Sequence, residues 1–436
     1  MFTGTFTSGR TVPGMRGRAA ATAALALAAV LPALSAAPAH AEVAPGYERV
    51  NVSSTGEAQG GMSTDQETAL SADGRFVAFT SKAANLVPGD TNGVMDVFVR
   101  DRTSGTTERV SVSGSGAQGT AASHQGHLVI SPDGRYVAFS SDADNLVPGD
   151  ANGKADLFLR DRQTGSTTRI ASGYNAGWSY AVSFSPDGRY LAHEVPKSGV
   201  VLRDLVTGTT ENLGSFSVYG LSLSADARSV AFASADSTLV PNDTNEDADI
   251  FVLDRQTSAI TRVSVNSAGQ QALSYTGSTA PSISADGRFV AFESGADNLV
   301  RYDTNQSDDI FVRDRQNNTT ERVNLTLDGE EPTQDWLYDM GALAPQISAD
   351  GRYVLFNSDH ANMIPGTDPY AVPARIFLRD RQTGTTSVVD GPVTATKSSF
   401  RPSMASDGRT IAFSSDNDTL VPGDTNNAAD VFVRTY

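Results

Sequence analysis

The sequence contains no cysteine among its 436 residues and only two tryptophans. The lack of cysteine excludes disulfides, thiolate metal centres, cysteine nucleophiles and attachment of a lipid to an N-terminal cysteine. No segment has a convincing helical period, and no Gly-x-Ser-x-Gly motif of a serine hydrolase occurs. Basic side chains are also scarce, with 33 Lys and Arg against 50 Asp and Glu. This balance argues against nucleic acid and anionic membranes as partners and favours cations or neutral or cationic ligands, although acidity also serves the solubility of an exported protein.

The first 41 residues have the composition of a secretory signal peptide. Arg10, Arg16 and Arg18 form a positive segment, an Ala- and Leu-rich stretch follows, and residues 39–41 give the small-x-small pattern of a cleavage site. No Arg-Arg pair is present, which favours general secretion. We predict a bacterial protein that is secreted to the envelope or the medium. Residues 42–436 are predicted to form a single domain, and we expect a monomer without a membrane-inserted segment.

One sequence motif occurs seven times along the mature chain. It is SADGRFVAF at Ser71 and SPDGRYVAF at Ser131, and it recurs with small changes at five further places. The aspartates of the seven copies are Asp73, Asp133, Asp187, Asp226, Asp286, Asp350 and Asp407. Internal repetition at such spacing indicates a propeller or solenoid rather than two or three separate domains.

Each repeat is interpreted as four short strands. A short apolar strand precedes the Asp-Gly-Arg turn, FVAF follows it, and a long loop leads to DVFVRDR; a Gln-Thr-Gly turn then gives a fourth strand such as TTERVSVS. The central strands are continuous apolar runs, so both of their faces are expected to be buried. Sheets packed face to face around an axis provide that burial. The predicted fold class is therefore all-β, a seven-bladed propeller of four-stranded blades.

The two ends of the mature chain complement each other. The seventh repeat stops at DVFVRTY and lacks a fourth strand, while Gly46 to Ser53 (GYERVNVS) match the fourth strand of the first repeat. We therefore predict that the N-terminal strand pairs beside Val431–Val433 and closes the ring.

The Ser-Pro/Ala-Asp-Gly-Arg turn, with hAF, hFVRD and TG.T after it (h, an apolar residue), resembles the WD-repeat-like units of TolB-type propellers. The resemblance covers essentially the whole mature chain and implies a propeller that binds proteins or other ligands. TolB has an additional N-terminal α/β domain that the repeats here do not leave room for, so its specific envelope role is not transferred.

The long loops between second and third strands share an acidic pattern. Because successive strands alternate in direction, these loops and the blade-to-blade segments lie on one face, and the short turns lie on the other. Alternate oxygen donors with a carboxylate at the start of the next strand resemble a calcium loop; the alternative is that Asp and Asn make turns and cap the strand. The candidate Ca²⁺ ligands are Asp90, Asn92, Asp96, Asp150, Asn152, Asp156, Asp243, Asn245, Asp249, Asp303, Asn305, Asp309, Asp424, Asn426 and Asp430.

The segments that lead to the innermost strands carry most of the remaining candidate ligand-binding residues. They place His and aromatic residues shortly before the turn aspartates, which predicts a cluster at the channel mouth. The candidate ligand-binding residues are His124, His127, Trp178, Tyr180, Tyr219, Tyr275, Trp336 and Tyr338, with Phe400 in the same position of the last repeat. Such an opening suits a sugar, a peptide or a quaternary amine, and the alternative is that the rings plug the channel or pack between blades.

Two classes of function remain open after these observations. The first is a secreted, non-catalytic module that binds a protein, peptide or glycan, with Ca²⁺ stiffening its loops. The second is a channel-centred lyase or hydrolase acting on carbohydrate; some pectate-fragment lyases resemble this fold and hold a divalent metal on histidines, for which His124, His127, His193 and His360 are the available set. A purely structural subunit is a third possibility. No catalytic residue is singled out.

Overall fold

The computed structural model describes residues 46–58, 67–123, 128–174, 181–274, 276–333, 341–360, 362–366, 373–392, 395, 397–426 and 428–436. Within these ranges the chain forms 28 strands in seven four-stranded antiparallel sheets. No helix long and apolar enough to span a lipid bilayer occurs among the described residues. The all-β, seven-bladed propeller predicted from the repeats is confirmed.

The strands follow one another around the ring, and each blade is numbered by its position along the chain. Blade 1 contains β2 (Thr68–Leu70), β3 (Phe76–Ser81), β4 (Asp96–Asp101) and β5 (Thr106–Arg109); blade 2 contains β6 (Val129–Ile130), β7 (Tyr136–Ser141), β8 (Ala155–Asp161) and β9 (Ser166–Tyr174). Blade 3 contains β10 (Val182–Phe184), β11 (Tyr190–Val195), β12 (Gly199–Asp204) and β13 (Thr210–Gly214); blade 4 contains β14 (Gly220–Leu223), β15 (Ser229–Ser234), β16 (Asp249–Asp254) and β17 (Ala259–Arg262). Blade 5 contains β18 (Ser278–Ile283), β19 (Phe289–Ser294), β20 (Asp309–Asp314) and β21 (Thr319–Arg322); blade 6 contains β22 (Ala342–Ile347), β23 (Tyr353–Ser358), β24 (Arg375–Asp380) and β25 (Thr385–Val388). Blade 7 contains β26 (Ser399–Met404), β27 (Thr410–Ser415) and β28 (Asp430–Thr435), with β1 (Tyr47–Arg49) as its outer strand.

The core lies between the blades, on both faces of the two central strands. In six blades a phenylalanine of the second strand packs against one of the third, as Phe79 does against Phe98 with ring centroids 5.8 Å apart. Blade 3 has His193 and Val201 at the equivalent positions, and Phe216 stacks on Phe232 of blade 4. The paired phenylalanines are almost fully buried, which explains why the central strands are continuous apolar runs.

The ring closes through the N-terminal strand as predicted. Tyr47, Glu48 and Arg49 pair with residues of β28, antiparallel, in the register Glu48 to Val433. Arg102 of blade 1 reaches Glu48 at 2.8 Å, and this contact repeats between other neighbouring blades, as between Arg162 and Glu108. The strand from the N-terminus therefore makes the blade-to-blade contacts that an outer strand makes elsewhere in the ring.

A second set of bonds joins the blades near the short turns. The N–H of the residue after the repeat's first serine donates to the carbonyl of its counterpart in the next blade. These bonds run from Ala225 to Ala285, Ala285 to Ala349, Ala349 to Ser406, Ser406 to Ala72 and Ala72 to Pro132. In blades 2 and 3 the donor position is Pro132 and Pro186, which have no N–H. The series therefore links blades 4, 5, 6, 7, 1 and 2 and omits blade 3.

Candidate functional site

A cavity of about 950 Å³ opens on the axis at the face of the long loops. Residues of blades 6, 7 and 1 supply most of its wall, and Leu128 of blade 2 joins them. Its lining combines carboxylates, bases, amides and apolar groups: Glu67, Asp359, Asp416, Asp418, Lys397, Arg401, Gln346, Asn357, Leu128, Leu343, Pro402 and Phe400. The Phe400 side chain is 38% exposed, so an aromatic surface faces solvent there.

The wall is shaped by irregular inner strands. Ala344 in β22 and Arg401 in β26 have φ near +50°, a left-handed conformation that costs roughly 1–2 kcal/mol for a residue with a side chain. The pairing register shifts at both places, and a proline follows each residue. Bulges of this kind reorient side chains and are common beside functional sites. Both bulged residues line the cavity.

Hydrogen bonds fix the polar lining. Gln346 donates from Nε2 to the Pro402 carbonyl at 2.8 Å, and its Oε1 accepts the Met404 N–H at 2.9 Å. Asn357 donates to the Ser399 carbonyl at 2.8 Å. Blades 6 and 7 are therefore held together at the cavity wall by amide side chains, while a salt bridge of 3.3 Å joins Arg401 to Glu67 of blade 1.

The channel continues below this cavity. A second cavity of about 290 Å³ is lined by inner-strand residues that include Ile130, Phe184 and Met404. Thr68, Leu128 and Gln346 border both cavities, so the two follow each other along the axis. The lower part has mainly apolar and hydroxyl side chains, whereas the charged groups gather at the upper mouth.

One further carboxyl group lies close to the wall. Glu293 of β19 accepts the N–H of the cavity-lining residue Ala344 at 3.3 Å. Burial, together with the charge of Asp308, raises the Glu293 pKa to about 7. A carboxyl group with such a pKa is able to exchange a proton at neutral pH. The sequence did not single it out: the repeat has Glu194 at the same position in blade 3 and Thr, Ser, Ala or Asn in the other blades.

Most of the predicted ligand-binding residues cannot be placed against this cavity. His124, His127, Trp178, Tyr180, Tyr275, Trp336 and Tyr338 lie outside the described residues. Tyr219 is described: it stands just before β14, its N–H donates to the Ala233 carbonyl, and its side chain is 47% exposed. It is not part of the cavity lining. For the other seven, a role at the mouth stays a prediction.

The two described histidines are occupied by local hydrogen bonds. His360 is fully buried, with Nδ1 2.8 Å from the Ser358 hydroxyl and Nε2 3.1 Å from the Ser307 hydroxyl of blade 5. His193 lies in β11 with Nδ1 3.1 Å from the Glu194 carbonyl. Burial lowers the pKa of both rings. Among the described residues no group of three or more His, Asp or Glu side chains has an arrangement that could hold a metal ion.

Each acidic loop surrounds an arginine of its own blade's outer strand. In blade 1 the Arg109 guanidinium lies 3.0 Å from Asp90 and 3.3 Å from Asp96, and Asn92 donates to Asp96 at 2.8 Å. The same arrangement recurs with Arg169, Arg262, Arg322 and Arg49 in blades 2, 4, 5 and 7. A guanidinium therefore binds the two aspartates of each oxygen set that the sequence offered to calcium.

The arginine is well placed to neutralise the loop. The strand-starting carboxylates Asp96, Asp156, Asp249, Asp309 and Asp430 are all at most 1% exposed in their side chains. Burial and the neighbouring carboxylate raise the pKa of Asp303 to about 7 and that of Asp424 to about 6. Asn152 and its equivalents donate to the strand-starting aspartate, which is the strand-capping alternative considered for the sequence. Calcium binding stays a hypothesis. A bound calcium ion would have to displace this arginine or share its carboxylate ligands.

Comparison with known proteins finds distant structural likenesses. No family model matches the chain, and no curated protein matches it. Similar solved structures include an oligogalacturonate lyase in complex with manganese (15% identity, 85% of this chain and 88% of that chain, TM-score 0.48). An oligogalacturonate lyase from Vibrio parahaemolyticus (12%, 87% and 98%, TM-score 0.49) and TolB from Acinetobacter baumannii (15%, 84% and 81%, TM-score 0.40) are similar too. Likenesses this distant support no conclusion about what the present chain binds.

Proposed function

We propose that this chain is a secreted, non-catalytic propeller that binds a protein, peptide or glycan in the axial cavity at its long-loop face. The supporting observation is the cavity itself, because it has the volume of a ligand site and a mixture of apolar wall and convergent polar groups. Its position among the most variable segments of the repeats agrees with this use, since binding residues concentrate in loops held by a rigid scaffold.

The character of the wall limits the ligand. Four carboxylates, Glu67, Asp359, Asp416 and Asp418, face two bases, and one of those bases, Arg401, already pairs with Glu67. Phe400 offers a ring face of the kind on which sugar rings and aliphatic side chains pack. We therefore favour a neutral or positively charged polyhydroxylated or peptide ligand over an anionic one.

A glycan and peptide array screened with the purified chain tests the proposal. The variants Phe400→Ala and Asp418→Asn are expected to lose binding at least tenfold, about 1.4 kcal/mol. Leu273→Ala is the matched control, because Leu273 is an exposed apolar residue, 60% accessible, on the same face but outside the cavity lining. Binding that survives Phe400→Ala and Asp418→Asn, or falls equally in the control, would place the site elsewhere.

A channel-centred carbohydrate-active enzyme is the second candidate, and Glu293 is the observation that favours it. A carboxyl group with a pKa near 7 beside a cavity has the property required of a general acid or base. Turnover assays on each array hit separate the two candidates. Product release that disappears in Glu293→Gln while binding is retained supports the enzyme, and binding without any product supports the module.

A further inference from the structure

Six of the seven turn arginines hold an aspartate of their own blade. The guanidinium binds the aspartate that ends the third strand, with Nη2 to carboxylate distances of 2.6 to 2.9 Å. The pairs are Arg75–Asp101, Arg135–Asp161, Arg189–Asp204, Arg228–Asp254, Arg288–Asp314 and Arg352–Asp380. Arg409 is the seventh turn arginine. The residue that takes the aspartate's place is Thr435, because Thr410 pairs with Thr435 in the register in which Phe76 pairs with Asp101.

Arg409 is consequently an exposed guanidinium without its usual counter-charge. Within the described part of the chain its side chain makes no hydrogen bond or ion pair, and only its backbone is engaged, by Asp407 and Tyr436. An arginine fork that faces no acid is unusual in this molecule, where the six equivalent arginines bind a carboxylate through two nitrogens.

The interface between blades 6 and 7 also lacks a second pair. Elsewhere an arginine inserts between blades: Phe289 lies between Arg288 and Arg381, at 4.5 and 4.3 Å, and Arg381 binds Glu321. In the last interface Tyr436 occupies the position of that arginine, since its N–H donates to the Arg409 carbonyl as the N–H of Arg381 does to that of Arg352.

The glutamate of that pair is replaced as well. Ser387 pairs with Leu378 in the register in which Glu321 pairs with Val312. The space left by the missing arginine and glutamate is a notch of about 290 Å³, bordered by Tyr353, Leu378, Ser387, Gly408, Arg409 and Tyr436.

Charge decides what the notch accepts. The complete interface between blades 5 and 6 carries the pairs Arg288–Asp314 and Arg381–Glu321. The interface between blades 6 and 7 keeps the first pair as Arg352–Asp380 and lacks the second, and the Arg409 guanidinium borders its notch without an acid from the described part of the chain. A cation would add to the uncompensated charge, and a carboxylate would balance it. We propose that the notch is a carboxylate subsite, in which Arg409 binds the carboxylate through its fork and the body of the ligand contacts Tyr353, Leu378 and Tyr436. The subsite lies on the face of the short turns, away from the axial cavity, and is independent of the proposed function.

Two probes distinguish a free acid from a carboxylate side chain of a polypeptide. Benzoate represents the first, and a neutral hexapeptide with one aspartate, compared with the same peptide carrying asparagine, represents the second. Binding is followed through the NMR shifts of the Gly408 and Arg409 amides. Saturable shifts with at least one carboxylate probe, weakened about tenfold or more by Arg409→Gln, are expected. No saturable shift with either probe, or equal binding by Arg409→Gln, would overturn the proposal.

A substitution that supplies the missing acid provides a second measurement. Thr435→Asp restores the pair found in the other six blades, so it should abolish probe binding and raise the Tm, and the Tm gain should disappear when Arg409→Gln is added. Thr435→Asn is the uncharged control and should leave probe binding unchanged. If Thr435→Asp raises the Tm equally with and without Arg409, the arginine is not free to take a carboxylate, and the subsite is rejected.

Discussion

Arg375 donates from Nε to both carboxylate oxygens of Asp390, each 3.0 Å away, and both side chains are buried in blade 6. Arg375 starts the third strand, where blades 1, 2, 4, 5 and 7 have an aspartate. Asp390 stands where blade 1 has Ser111, which donates to that aspartate. Blade 6 therefore keeps a buried ion pair at this position with the two signs exchanged.

Removing one member of this pair is expected to be severe. Asp390→Asn leaves the Arg375 guanidinium buried without a counter-charge, and we expect a loss of about 3–5 kcal/mol in the free energy of unfolding. Chemical denaturation measures it. The triple variant Arg375→Asp, Val388→Arg, Asp390→Ser rebuilds the arrangement of blade 1 and should recover much of the loss. A triple variant no more stable than Asp390→Asn would show that the sign exchange is fixed by other contacts of blade 6.

The acidic loops allow a direct test of calcium. Because an arginine holds the oxygens of each loop, we expect neither calcium nor chelator to move the Tm of the wild-type chain. Arg322→Met removes the guanidinium that binds Asp303, Asp309 and Glu331 and leaves the three carboxylates close together. This variant should be destabilised and should regain stability when calcium is added.

The loop of blade 4 provides the control for that experiment. Arg262 contacts two carboxylates, Asp243 and Asp249, so Arg262→Met should recover less on addition of calcium. A calcium-dependent rise in the wild-type Tm would instead support the hypothesis that these loops bind the ion without any substitution.

Ring closure is tested by two equivalent asparagines. Asn51 donates to Asp430 at 2.6 Å and accepts the Val431 N–H, although the two segments are at opposite ends of the chain. Asn324 makes the same contacts with Asp309 and Ile310 within blade 5. Both are fully buried, so alanine at either position should cost about 1–3 kcal/mol. A neutral Asn51→Ala beside a destabilising Asn324→Ala would mean that the N-terminal strand does not complete blade 7 in solution.

The free energy of unfolding of the chain should fall as the pH rises from acid to neutral. Burial raises the pKa of Glu293 to about 7, so the folded state holds a proton that the unfolded state releases near its ordinary pKa of about 4.3. The free energy of unfolding should therefore decrease between about pH 4.5 and 7.5. Asp303 and Asp424, whose pKa values are also raised, contribute to the same slope, so Glu293→Gln should reduce it and raise the Tm at pH 8 by roughly 2 °C. Glu330→Gln, which changes an exposed carboxylate, should retain the slope.

The architecture was accessible from the sequence because the repeat encodes it several times. The Asp-Gly-Arg turn fixes one end of each hairpin, the buried phenylalanines fix the faces, and the match between GYERVNVS and TTERVSVS fixes the closure. The prediction that long loops and blade connections share a face is confirmed by the cavity that they border.

The site chemistry was less accessible because it depends on pairs between strands. The arginine thirteen residues after Asp96, Arg109, recurs at the same spacing in blades 2, 4 and 5, and this repetition was the available signal for an arginine in place of a metal. Glu293 carried no such signal, since its raised pKa comes from burial against the neighbouring blade and from the charge of Asp308. The bulges at Ala344 and Arg401 lie at an Ala-Pro and an Arg-Pro step, and the apolar pattern of a strand does not predict a bulge there.

Pro132 and Pro186 determine where a circular molecule would come apart first. The junction between the chain's two ends retains the bond from Ser406 to Ala72, while blade 3, which contains Pro186, is excluded from that series because neither proline can donate. Breathing of the ring is therefore expected to begin at the third blade, in the middle of a continuous polypeptide. The backbone amides of blade 3 should exchange with solvent before those of blade 7, where the two ends of the chain meet. The part of the ring that is covalently continuous would then open more easily than the part that is closed by hydrogen bonds alone.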